Sequence, residues 1–182
     1  MALNFEKEKL ISELKERKPK KVLVQLAEGI KQNAPEISEW IVGLGIECIF
    51  SGETCWGACS VAVQEAQALG VDLIVHFGHA EFIKVDFPIL YMEVQDILDL
   101  KPLLNKSLDS LKAYNRIGLS YSIQHRHDIE NIKKFYETHG KQVILSKKAG
   151  TNAYEGHITG CEYRGLRAIQ DDVDCFVIIG NQ

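Results

Sequence analysis

The 182-residue chain carries no excess of basic charge, no long apolar run and no glycine-rich phosphate loop. Lys and Arg number 21 against 25 Asp and Glu, a net charge of −4. That balance gives no electrostatic reason to bind nucleic acid directly or to settle on an anionic membrane. No stretch approaches the ~20 apolar residues that a membrane-spanning helix needs. Met1–Lys9 is charged and reads as the start of an amphipathic helix rather than a leader. Neither standard phosphate-binding glycine fingerprint is present. Disulfide staples are not expected either. Five cysteines is an odd number, in a chain large enough to form a core without them. This favours a reducing, cytoplasmic setting, with thiols that are buried, reactive or metal-bound. Apolar content of 46% and charged content of 25% are ordinary for a soluble globular protein.

What is present is a repeat. Cys59, in Gly57-Ala58-Cys59, is followed by Ala66, Val71-Asp72 and Gly78. Cys161, in Thr159-Gly160-Cys161, is followed at the same offsets by Ala168, Val173-Asp174 and Gly180. Upstream the offset is 95 residues, pairing Gly45 with Gly140 and Ile49 with Ile144; at the cysteines it is 102. The second copy therefore has seven more residues in the loop before its cysteine. Strand-like runs alternate with helical ones in both copies. Strands are predicted at 20–26, 46–51, 73–77 and 88–94, then at 117–123, 142–146 and 175–179. Helices are predicted at 4–18, 35–44, 60–69, 95–113 and 128–139, with one more after Cys161. The expected fold is α/β, with duplicated units of four-stranded parallel sheets flanked by helices. The first domain would span 1–113 and the second 114–182. The second stops after its third strand, which predicts uncovered apolar sheet surface and a chain cut short relative to a longer parent.

Cys59 and Cys161 are the leading candidates for chemistry. Each follows a strand and a loop and is expected to open a helix, the end where open α/β sheets bind ligands. A helix N-terminus also favours a thiolate. Two thiolates at one position of two related domains suit a metal or cluster. The alternative is a pair of small buried apolar residues. Cys55 makes Cys-x3-Cys with Cys59, but Ala62 stands where the radical S-adenosylmethionine motif needs its third cysteine. Cys55 also lacks a counterpart in the second copy and is set aside as a ligand. Cys48 and Cys175 read as core. His79 is placed lining the cleft and His76 as an interior histidine. Their counterparts in the second copy are Asn181 and Ile178. Glu28 either meets a ribose hydroxyl or an ammonium group, or caps a helix beside a permissive Gly29. His125-Arg126-His127 reads as a solvated turn.

Gln25-Leu-Ala-Glu-Gly29, Ser51-Gly-Glu-Thr-Cys-Trp-Gly-Ala-Cys59, Val71-Asp-Leu-Ile-Val-His-Phe-Gly-His79 and Thr159-Gly-Cys161 together resemble the 2-(3-amino-3-carboxypropyl)histidine synthase family. This is the first enzyme of diphthamide synthesis. The resemblance implies three related α/β domains, each giving one cysteine to a [4Fe-4S] cluster. Cys59 and Cys161 match the first two ligands, and the third would lie in a domain this chain lacks, so the chain alone would be inactive. Radical cleavage of S-adenosylmethionine would transfer a 3-amino-3-carboxypropyl group to a histidine of translation elongation factor 2. Gln25, Glu28, Gly29, Ser51, Gly52 and His79 are then candidates for the S-adenosylmethionine cleft. The implied partners are that factor, an electron donor, and a second copy or a paralogous subunit. The rivals are a non-catalytic scaffold that lost the cluster and a zinc protein using Cys55, Cys59 and His79.

Overall fold

The computed structural model describes residues 3–180. It divides into two compact units, Asn4–Val94 and a second made of Leu3 and the chain from Gln95 onward. In the first, β1 (Lys21–Leu26) is central, flanked by β2 (Glu47–Phe50) and β3 (Leu73–Phe77); β4 (Ile89–Met92) extends the sheet beyond β3. All pairs are parallel, in the order β2-β1-β3-β4. The helices of this unit are α1 (Lys7–Arg17), α2 (Ala34–Val42) and α3 (Val63–Leu69). In the second, β5 (Arg116–Tyr121) lies between β6 (Gln142–Leu145) and β7 (Cys175–Ile179), again all parallel. Its helices are α4 (Lys101–Ser110), α5 (Ile129–Thr138) and the short α6 (Arg164–Arg167). The order 2-1-3 is thus common to both units.

The registers reproduce the two sequence offsets. Lys21 faces Glu47 as Arg116 faces Gln142, and Val22 faces Leu73 as Ile117 faces Cys175. Each central strand runs into a 3-10 turn and then a helix: Glu28–Asn33 with α2, and Ile123–Asp128 with α5. Central parallel strands are covered on both faces, so they read as continuous apolar runs. Residues 22–26 and 117–121 are buried throughout.

One acidic residue clamps each unit at the same place. Asp72 accepts hydrogen bonds from the Lys20 and Lys21 backbone N–H groups at 2.7 and 3.0 Å. Asp174 accepts from Asn115 and Arg116 at 2.9 and 2.8 Å. These donors favour the ionised form. The Lys20 N–H leads the downward pKa shift at Asp72, and the Arg116 N–H leads it at Asp174. A carboxyl whose folded pKa is depressed stabilises the fold above its unfolded pKa, about 3.9 for Asp. That contribution is lost as pH falls through the lower, folded value. Asp72→Asn and Asp174→Asn should therefore lower the urea midpoint at pH 7, and the deficit should shrink below pH ~4. A deficit equal at both pH values would show that the charge is not involved.

Four sequence expectations change. The helix expected over 95–113 is confined to α4, with Gln95–Asp96 extended ahead of it. Pro102 is tolerated only in a first turn, which fixes that start. Leu104 and Leu111 pack with Ile117, Ile132 and Tyr136, so α4 belongs to the second core. The division accordingly falls at Val94/Gln95 rather than after residue 113. Neither cysteine opens a helix, since α3 starts at Val63 and α6 at Arg164. His125 is buried within the 3-10 turn, and only Arg126 and His127 are exposed.

The second sheet has three strands among the described residues, as expected of a copy that stops after its third. Phe176 and Ile178 of β7 are 41% and 52% exposed, whereas Ile74 and His76, their equivalents in β3, are fully buried. The expected uncovered apolar surface is present.

Candidate functional site

Both cysteines sit in one kind of turn. The Ser60 N–H donates to the Gly57 carbonyl at 3.0 Å, and the Glu162 N–H donates to the Thr159 carbonyl at 3.3 Å. Each bond spans its cysteine and links residues at the 102 offset. Each turn follows the loop after an outer strand, β2 or β6, and leads into a helix, α3 or α6. Cys59 and Cys161 are both exposed free thiols. Cys48, by contrast, is partly buried on β2, and that burial pushes its thiol up to about 11.

The two turns are held differently. In the first unit the Gln25 side chain, 1% exposed, donates from Nε2 to the Ser60 carbonyl at 2.7 Å. Its Oε1 accepts from the Ala62 N–H at 3.2 Å and lies 2.9 Å from His76 Nδ1. Gln25 thus ties the end of β1 to the segment that directly follows Cys59. Its counterpart in the second unit is Ser120, whose buried hydroxyl has no such partner. There the Lys147 N–H donates to the Gly165 carbonyl at 3.2 Å, in the helix that follows the turn. Asn152 Nδ2 donates to the Glu162 carbonyl at 3.3 Å. The buried Glu162 carboxylate pairs with Arg164, which draws its pKa down to about 2. Sequence reasoning missed Asn152, Glu162 and Arg164, because the stretch from 147 to 164 carries no periodicity.

The other candidates fall into separate networks. His76 Nε2 lies 2.9 Å from His79 Nδ1, and Tyr91 packs on His76 with ring centroids 5.4 Å apart. Burial, followed by the adjacent His79, lowers the His76 pKa to about 3. Burial also lowers His79. The Glu28 carboxylate accepts from Lys31 at 2.7 Å and from the Cys55 N–H at 3.0 Å, and these bonds, Lys31 first, hold it ionised. Its side chain therefore caps a distant loop rather than its own helix. The Ser51 hydroxyl bonds Glu65. Gly29 and Gly52 have open space where a side chain would stand. Cys55 is buried, with a thiol pKa raised chiefly by desolvation. Its sulfur lies with the ring nitrogens of His76 and His79, all within 4.8 Å of one another.

A free, exposed thiol of the kind each turn presents is a donor that suits an iron–sulfur cluster. Both sulfurs are free and exposed, and each is presented by a backbone-bonded turn at the ligand-binding end of a parallel sheet. Fold and turns together define a duplicated α/β protein with one exposed cysteine turn per unit.

Residues 26–182 match the family model of the diphthamide synthesis protein, and the chain belongs to that family. It is 28% identical over 159 residues to the 2-(3-amino-3-carboxypropyl)histidine synthase of Pyrococcus horikoshii, covering 86% of this chain and 46% of that protein. It is 30% identical over 184 residues to 2-(3-amino-3-carboxypropyl)histidine synthase subunit 1 of Gibberella zeae, covering 98% and 39%. The crystal structure of Dph2 from Pyrococcus horikoshii with a 4Fe-4S cluster superposes with a TM-score of 0.90 at 25% identity, over all of this chain and 54% of that one. The chain therefore spans about half the length, or less, of these relatives. No helix among the described residues is long and apolar enough to cross a membrane.

Proposed function

We propose that this chain supplies two thiolates, Cys59 and Cys161, to a [4Fe-4S] cluster of the 2-(3-amino-3-carboxypropyl)histidine synthase reaction. The observation that carries this is the repeated turn, which presents an exposed cysteine at one position of both units. A cluster with three protein ligands would take the third from outside these two copies. When bound, it would supply an electron and an open iron position to the sulfonium of S-adenosylmethionine. The chain's own part is geometric. Gln25 fixes the Cys59 turn to β1, and the Gly165–Lys147 contact fixes the Cys161 turn to the end of β6. Glu28, Gly29, Ser51 and Gly52 lie in loops and turns at the same end of the first sheet, where the nucleoside and amino-acid ends of S-adenosylmethionine would be held. The acceptor is a histidine of translation elongation factor 2. An electron donor and a second copy or paralogous subunit complete the assembly in the cytoplasm.

Anaerobic purification followed by iron and sulfide analysis tests this. The expected result is a brown protein with thiolate-to-iron charge-transfer absorbance. Cys59→Ala and Cys161→Ala should each cut retained iron at least tenfold. An iron-free protein, or iron content indifferent to both substitutions, would overturn the assignment and leave a non-catalytic scaffold role.

A further inference from the structure

We propose that Cys55, His76 and His79 form a separate site for a divalent metal ion of the zinc class, which clips the Cys59 loop to the end of β3. The donor atoms come from the loop after β2, from β3 itself, and from just beyond Gly78. All lie within 4.8 Å of one another, the one such group of three or more among the described residues. A thiolate with two imidazoles is a soft S/N set that suits tetrahedral zinc, with the fourth position left to solvent beside the partly exposed His79.

The hydrogen bonding around His76 is that of a metal ligand. Gln25 Nε2 faces the Ser60 carbonyl and Oε1 faces the Ala62 N–H, so neither end of the amide can be exchanged for the other. A carbonyl oxygen only accepts, so His76 Nδ1 carries the proton it directs at Gln25 Oε1. His76 Nε2 is left with a lone pair aimed at the cluster of donors. A ligand imidazole characteristically gives its other N–H to such an oxygen. Without metal, His79 Nδ1–H fills that lone pair at 2.9 Å. On binding, the His79 proton moves to its outer nitrogen, and the Cys55 thiol releases its proton to solvent.

The second copy dispenses with the whole arrangement. Ile178 stands for His76, and Asn181, outside the described residues, stands for His79. A metal clip has no task there, because the Asn152 side chain on the Glu162 carbonyl and the Lys147–Gly165 backbone bond already hold the Cys161 turn.

The test uses the full chain carrying Cys59→Ser and Cys161→Ser, stripped of metal and titrated with Co2+ and then Zn2+. Stoichiometric uptake is expected, with a thiolate-to-cobalt charge-transfer band and intense tetrahedral bands that zinc abolishes. Cys55→Ser should remove the charge-transfer band, and His79→Ala should weaken uptake at least tenfold. Gln25→Ala should weaken it roughly 10–100-fold through the lost outer partner. Cys48→Ser should change nothing. A folded protein, by circular dichroism, that shows no cobalt spectrum would overturn the proposal. So would a spectrum that survives both Cys55→Ser and His79→Ala. Because the cluster cysteines are absent from this protein, either result leaves the iron–sulfur reading to its own experiment.

Discussion

Replacing Gln25 with leucine is expected to lower the unfolding free energy of the first unit by about 3 kcal/mol. Leucine fills a similar volume but leaves the Ser60 carbonyl, the Ala62 N–H and His76 Nδ1 without their partner. A buried polar group left unpaired costs ~1–3 kcal/mol. The sum stays near the low end because Ser60 is exposed and its carbonyl can turn to water. Gln25→Glu separates the contributions, since a carboxylate can still accept from Ala62 and His76 but cannot donate to Ser60. Urea unfolding gives the magnitude. Limited proteolysis of residues 51–62 shows whether the loop has been released. A loss under ~1 kcal/mol with no new cleavage would show that the amide does not hold the turn.

The largest effect in the second unit is expected at Gly165. A Cβ built there would overlap the backbone carbonyl of Lys147, whose own N–H donates to the Gly165 carbonyl. Main chain blocks the space, so no rotamer change relieves it. Overpacking costs ~1–3 kcal/mol, and a clash between backbone segments belongs at the upper end. Gly165→Ala should lower the melting temperature by about 6–12 °C in a chain of this size. Gly160→Ala is the internal control: it lies in the same turn, with nothing within 4 Å of its added Cβ. It should stay within ~0.5 kcal/mol of the parent. Equal losses at both positions would show that the turn responds to any added side chain rather than to the Lys147 contact.

The repeat is legible in the sequence because its marks are tied to backbone pairing. The offsets of 95 and 102 follow from strands that must keep register in two sheets of one order, and Asp72 and Asp174 recur because each ties off the same pair of N–H groups. The strand cores are legible for the same reason, as unbroken apolar runs. The clustering of Cys55 with His76 and His79 is not. It joins residues 21 and 24 positions apart through the path of a loop, and no periodicity records such a path. The lack of a second-copy counterpart argues against a role for Cys55, yet the contact is confined to one copy. The start of α4 is obscured because apolar spacing continues through Gln95–Leu100, while Pro102 allows a helix only from Lys101 onward. Its membership of the second core rests on Leu104 and Leu111, whose destination is decided by tertiary packing.

The outer edge of β7 bears on how the protein must be handled. Phe176 and Ile178 stand exposed beside a row of backbone donors and acceptors with no neighbouring strand among the described residues. Such an edge is a template for strand addition between molecules. Colloidal behaviour should therefore depend on concentration at this one place, where Ile178→Lys would act as a gatekeeper.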